Sequence, residues 1–209
     1  MYAKRRDARP GRLWPGARLL AAGLPLAAGV LLATTDVRAR DLTAAEIDTM
    51  FQLAEKDGRV GLARKTRPVD ARPAIPAEVV VTIIRGEGEE TRSKPSEPGD
   101  MVVRNRCPET GNEEILVKKE KFSERYDGPH SGSAEAPWQA YRPRGVEMRF
   151  FHVSEAWGAF TFTAPWGSPM VARPGDAIVR DPADPRDTYR IGAASFACTY
   201  EITRKPFAN

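Results

Sequence analysis

The side chains able to do chemistry in this chain are few, so their spacing limits the options. Cysteine stands only at positions 107 and 198, and histidine only at 130 and 152. Two of each would suffice for a mixed zinc site by count. However, Cys107, His130, His152 and Cys198 lie much farther apart than the close ligand pairs of a zinc finger. Without a fixed acidic partner the histidines make a poor metal site, and no metal is expected. His130 falls in a Gly/Ser-rich stretch and reads as solvated. His152 alternates with Phe150 and Met148 and reads as a partly buried strand residue. In an oxidising compartment Cys107 and Cys198 can pair with each other. Otherwise Cys198 is a buried inert thiol and Cys107 faces solvent; spacing alone does not choose between these. The acids Asp100, Asp176, Glu113 and Glu155 are those from which a glycan-cleaving pair would be drawn. Such a pair must hold its carboxyls about 5–10 Å apart across a cleft. The chain has no G-x-S-x-G, no H-E-x-x-H, no phosphate-cradling glycine loop and no G-x-G-x-x-G. No cofactor is expected.

Aromatic residues supply the other candidate site. Trp138, Tyr141, Phe150, Phe151, Trp157, Phe160, Phe162 and Trp166 fall within 29 residues. If Trp157 and Trp166 stood exposed side by side, with Trp138 nearby, they would stack on a sugar or grip a peptide. The competing reading makes them core. Arg104 and Arg180 each follow an aspartate by four positions, Asp100 and Asp176. On a strand, even spacing puts both members on one face. Base plus anion clamp is the functional reading. An Asx turn made by the aspartate and an ion pair made by the arginine is the structural one.

The elements that must position these residues are mostly strands. One helix is signalled over residues 44–56. Thr43 and Glu46 form a capping box, Leu42 and Ile47 occupy the hydrophobic staple positions, and Ile47, Met50, Phe51 and Ala54 form an apolar stripe. Gly58 ends it. Residues 59–77 hold Pro68, Pro73 and Pro76 among Arg and Ala and read as an extended linker. Val79 to Ile84 is a β-branched run too short for a helix. Pro and Gly number 18 and 17 in 209 residues, which favours short strands and many turns.

Two stretches then repeat. Pro98-Gly99-Asp100-Met101-Val102-Val103-Arg104 matches Pro174-Gly175-Asp176-Ala177-Ile178-Val179-Arg180. After a polar loop, residues 114–126 match 188–200 without a gap, including Phe122-x-x-x-Tyr126 against Phe196-x-x-x-Tyr200. The strand pairs 78–85 with 89–93, and 146–153 with 159–164, precede the two stretches. Shared order and spacing point to an internal duplication, though two copies are too few for a solenoid. Phe122, Tyr126, Phe196 and Tyr200 read as core anchors, the two tyrosines each with a hydroxyl that needs a partner.

The unit P-G-D-x-(V/I)-V, followed about twenty residues later by F-x-x-x-Y, resembles the PGDYG family of small bacterial and phage proteins. The likeness is greatest at Pro174-Gly175-Asp176, Phe196 and Tyr200, and covers about 30 residues in each half. Met101-Val102 and Ala177-Ile178 replace the final Tyr-Gly of the family motif. The resemblance implies a module and carries no catalytic residue with it.

The first 39 residues read as a secretory signal. Lys4, Arg5, Arg6, Arg9, Arg12 and Arg18 form a basic region. An apolar run from Leu19 to Ala33 follows, shorter than the roughly 20 residues that span a bilayer, and Val37-Arg38-Ala39 ends it. An uncleaved membrane anchor is the alternative. The leader carries a net +5, and residues 40–209 carry a net −1. The basic balance therefore belongs to the leader, and no nucleic-acid partner is expected.

The sequence thus predicts a mainly β (α+β) protein with one N-terminal amphipathic helix and two related small antiparallel β units in a pseudo-two-fold arrangement. The expected parts are a signal peptide (1–39), helix and Pro-rich linker (40–77), first β unit (78–126), linker (127–145) and second β unit (146–209). The expected role is a non-catalytic periplasmic or secreted binding protein whose partner is an envelope protein or glycan. The membrane is a partner only if the leader is uncleaved. The alternatives are an envelope glycan hydrolase or transferase using Asp and Glu, and a phage-derived docking module.

Overall fold

The structure is a computed structural model that describes residues 39–130 and 135–207. The signal-peptide reading therefore lies outside the described residues, apart from Ala39, as do Ser131, Gly132 and Ser133 of the 127–145 stretch. Strand β1 (Arg40–Leu42) leads into helix α1 (Ala44–Lys56). Thr43 caps α1 by accepting from the Glu46 amide, while Glu46 accepts from the Thr43 amide. The two exchanged bonds satisfy donors that the first turn leaves open. The face made by Ile47, Met50, Phe51 and Ala54 is buried. Each large side chain on that face contributes roughly 1.5–3 kcal/mol. Phe51 lies edge-on to Phe151, ring centroids 5.2 Å apart, and the Arg180 guanidinium lies over its ring at 4.1 Å.

Residues 59–77 are not a linker. They contain β2 (Gly61–Lys65) and β3 (Val69–Pro73), and both are central strands. Small buried residues replace the expected β-branched run: Gly61 and Ala63 leave room for Phe150 and Met148 directly opposite. A Cβ on Gly61 would come within 2.6 Å of the Phe150 ring and 2.7 Å of the Arg204 carbonyl. Val69, Asp70 and Ala71 are all buried, so β3 shows no alternation at those positions.

The chain continues through β4 (Val81–Ile84), β5 (Gly88–Arg92), β6 (Met101–Asn105), β7 (Glu114–Val117), α2 (Lys119–Arg125) and β8 (Tyr126–His130). Next come β9 (Gln139–Pro143), β10 (Glu147–His152), β11 (Phe160–Thr163), β12 (Pro169–Ala172), β13 (Ala177–Arg180), β14 (Thr188–Ile191), α3 (Ala193–Thr199) and β15 (Tyr200–Arg204). The stretch 127–145 is thus no free linker either, since it holds β9 and most of β8. Two five-stranded sheets dominate, in the orders β7-β6-β3-β9-β8 and β14-β13-β10-β2-β15. The hairpin β4-β5 and the three-stranded sheet β1-β11-β12 stand apart from them. The strand pair 78–85 and 89–93 is therefore not the counterpart of 146–153. The strand that occupies the place of β10 in the other sheet is β3.

The two large sheets agree in register as well as order. Arg104 pairs with Asp70, and Arg180 with Arg149. Asp70 pairs in turn with Ala140, and Arg149 with Leu62. Tyr126 faces Pro143, Tyr200 faces Lys65, and both outer ladders shift register a few residues later. The strand preceding each run joins the other run's sheet. β2 leads into β3 but pairs with β10 and β15, whereas β9 leads into β10 but pairs with β3 and β8.

Candidate functional site

The repeated motif builds a frame. Gly99 and Gly175 both sit at φ +92°, a conformation that glycine adopts without steric cost, as the third residue of a turn that Pro98 or Pro174 enters. Asp100 accepts from the Glu97 amide at 2.8 Å and the Lys119 amide at 3.2 Å. Asp176 accepts from the Arg173 amide at 2.8 Å and the Ala193 amide at 3.0 Å. Each aspartate therefore ties its own turn to the first residue of the short helix that follows. Burial opposes the charge on Asp100, but bonds from Glu97, Lys118 and Lys119 outweigh it and hold its carboxyl below the ordinary range. Neither aspartate pairs with the arginine four residues on. Both lie in the turn before the strand, so the same-face argument does not apply. Arg104 bonds Asp70 at 3.1 Å and lies over Trp138. Arg180 bonds Asp48 at 2.8 Å and lies over Phe51.

The F-x-x-x-Y spacing is one helical turn. Phe122 stacks on Tyr126 at 5.1 Å and Phe196 on Tyr200 at 5.2 Å. Each tyrosine also ends its helix, its amide donating to the phenylalanine carbonyl. The two tyrosines thereby leave the helices at matched places, and both line one cavity between the large sheets.

That cavity has a volume of about 750 Å³. Its apolar wall includes Val80, Ile115, Met148, Trp166 and Met170. Its polar lining gathers at the two strand-to-loop junctions. At one junction, the buried Glu113 carboxylate accepts from Asn105 at 2.9 Å and from Thr110. Burial raises its pKa, but Thr110, Asn105 and Ser195 more than offset this and leave the carboxyl below its ordinary value. The Lys65 ammonium, on β2, lies 2.5 Å from Asn105 Oδ1 and 3.3 Å from the Tyr126 hydroxyl. At the other junction, Asp187 and Asp181 face Lys121 and Arg125, the shortest contact being Arg125 to Asp187 at 2.7 Å. Arg125 also donates to the Tyr189 hydroxyl. Burial, then the Tyr189 and Tyr126 phenols, push the Tyr200 hydroxyl well above its ordinary pKa, so it stays a neutral donor.

A third polar group closes the cavity beside β5. Arg190 donates to Asp176 and Glu90 at 2.8 and 2.9 Å and to Glu87 at 2.5 Å. Three carboxylates thus share one guanidinium. Burial raises Glu90 to about 7, even against the opposing field of Arg190. The arginine pKa is raised as well, but here that favours the charged form: its own burial is outweighed by the three carboxylates.

Cys107 and Cys198 are joined, Cα atoms 6.2 Å apart, linking the loop after β6 to α3. Cys107 is fully buried, so the solvent-facing reading of that thiol fails. Arg67 donates to the Cys198 sulfur at 2.9 Å. The three candidate tryptophans sit in three places. Trp157 packs on Phe151 under Arg59, Trp138 is flanked by Arg72 and Arg104, and only Trp166 lines the cavity. Of the four acids considered for a glycan-cleaving pair, only Glu113 lines it. His130 lies 3.2 Å from Asp127, and His152 sits exposed at the end of β10 against Phe150 and Phe196.

Sequence reasoning missed Lys65, Asn105, Arg125 and Tyr189. These come from four separate segments, and the one signal available was the charge density of 118–125 beside Tyr126. Comparison with family models, with curated proteins and with solved structures finds no match for this chain.

Proposed function

We propose that this is an exported, non-catalytic binding protein whose ligand occupies the cavity between the two large sheets, and that the sheets derive from one duplicated, PGDYG-like unit related by a pseudo-two-fold axis. The cavity carries the binding reading. Its volume of about 750 Å³ lies within the range of small-molecule sites. Its lining also has the usual composition of such sites, apolar walls with a few convergent polar groups. Matching registers in the two sheets support the duplication. Export is supported by the leader and by the Cys107–Cys198 bridge, which suits an oxidising compartment. A single stacking platform for a glycan gains no support from three separated tryptophans, so a ligand with a substantial apolar part fits better.

Titration with the neutral dye Nile red tests the reading. Saturable one-to-one binding with enhanced emission is expected. Val146 lines the cavity and is 39 % exposed, so Val146→Trp fills space without overpacking the core. This variant should lose at least tenfold in affinity. If neither Nile red nor 1-dodecanol saturates, or the filled variant binds equally well, the reading fails. Intact mass of the exported protein tests the leader: the expected chain begins at Arg40.

A further inference from the structure

Most cations on the cavity wall are paired; among the described residues the exceptions are Lys94, which is exposed, and Lys65, which is half-buried at the junction beside the disulfide. Lys118 bonds Glu97 and Asp100, Lys121 and Arg125 bond Asp187, Arg186 bonds Asp184, and Arg190 bonds its three carboxylates. Lys65 differs. Among the described residues its ammonium has two neutral bonding partners, Asn105 Oδ1 and the Tyr126 hydroxyl, and no carboxylate within 4.0 Å. The nearby Glu113 carboxylate is engaged by Asn105 and Thr110 and faces Ser195. An ammonium has three donors, and here two acceptors are in place. A half-buried cation that has lost part of its water without gaining a counter-charge is costly, and an arriving anion offsets that cost. The same lining supplies a second donor, since the Tyr126 hydroxyl beside Lys65 can turn its proton toward an incoming oxygen. Beyond this polar end the wall is aliphatic and aromatic, with Ile115, Met148 and Trp166.

We infer that the ligand is an apolar molecule bearing one carboxylate, seated with the carboxylate on Lys65 and Tyr126 and the apolar body along the cavity wall. This rests on the binding reading above. The donor set is complementary to an anion and gives an amine no advantage.

Three probes with one tail separate the possibilities: dodecanoate, 1-dodecanol and dodecylamine. Each competes against bound Nile red, below its micelle concentration, at pH 7.5. Dodecanoate should displace the dye at a concentration at least tenfold lower than 1-dodecanol, and dodecylamine should be the weakest. In Lys65→Met, with each curve normalised to that variant's own dye affinity, the acid-to-alcohol ratio should fall below twofold. Lys65→Arg, which keeps the charge, should retain a preference for the acid. Equal competition by acid and alcohol in the unmodified protein overturns the inference, and this comparison stands even where Lys65→Met fails to fold. A preference that survives Lys65→Met overturns it too. In both of these cases Nile red still binds, so the binding reading survives. If no probe binds, the binding reading itself has failed.

Discussion

The two junctions between the large sheets solve one problem with different chemistry. On one side, the loop after β6 meets α3, and the contact is covalent and otherwise neutral or buried: Cys107 to Cys198, with Asn105, Glu113 and Ser195 beside it. On the other side, the loop after β13 meets α2. There Asp181 and Asp187 face Lys121 and Arg125. By the register that aligns the sheets, Ala183 stands where Cys107 does, and Glu124 where Cys198 does. The backbone arrangement is preserved at both: Asn105 donates to the Glu113 carbonyl at 3.0 Å and Asp181 to the Asp187 carbonyl at 3.1 Å. The strand framework therefore sets where the two runs meet, and the side chains there are free to differ. A covalent tie frees its surroundings from having to attract, and it is on this side that Lys65 stands without a carboxylate.

The largest expected effect comes from cutting the covalent junction. The bridge closes a sequence separation of 91 residues. In the chain-entropy model, Cys107→Ser with Cys198→Ser should cost about 4.6 kcal/mol. Urea unfolding of oxidised wild type against the double variant measures this. A loss below 1 kcal/mol would mean that the covalent junction contributes little.

The next test concerns the two aspartates of the repeated turn, one partnered by a lysine and the other by an arginine shared with Glu87 and Glu90. Glu90 is raised in the fold to about 7 from an ordinary 4.5, so the folded state holds its proton more tightly. Its contribution to stability is complete below pH 4.5 and is lost as pH rises through 7. A shift of this size corresponds to roughly 3 kcal/mol. Wild type should lose more stability than Glu90→Gln between pH 5 and 8, and unfolding curves for both at several pH values show whether it does. Parallel curves would contradict the shift.

Cutting the ionic junction should matter less. Arg125→Met leaves Asp181 and Asp187 to Lys121 alone and should cost roughly 2 kcal/mol, as expected for hydrogen bonds to charged groups. High salt should not abolish the effect, because Asp187 and Arg125 are mostly buried. Equal stability of variant and wild type would reduce this junction to a surface contact. The smallest effect sharpens the comparison. If the halves correspond as their registers do, Ala183→Cys with Glu124→Cys should form a second bridge, seen as a four-proton mass deficit for the oxidised protein in place of two. A deficit of two protons would show that the correspondence stops at the strands.

Much of this was legible in the sequence where the determinants are local. The capping box and the spacing from Ile47 to Ala54 define α1, and the repeated turn and F-x-x-x-Y pair mark the two frames. The strands β2, β3 and β9 were hidden because their positions call for small or paired residues in place of β-branched ones. Gly61 and Ala63 yield space to aromatic and long neighbours, and Asp70 is buried only because Arg104 and Arg106 bond it. The cavity was hidden for a different reason. Lys65, Tyr126 and Tyr200 meet only because the strand before each run is exchanged, and no local pattern encodes that exchange.

The exchange also governs the order in which the protein can be made. A chain emerging N-terminus first, from ribosome or translocon, presents β2 early, yet β2 lies between β10 and β15. The Arg64–Glu201 contact across β2 and β15 spans 137 residues. The sheet β7-β6-β3-β9-β8 has all its strands once Pro143 has emerged, but the sheet that holds β2 cannot close until β15, ending at Arg204, has followed. Such non-local pairing makes for slow folding. It is β2 that must be kept from aggregating almost to the last residue, and the demand on holding factors is set by topology rather than by length.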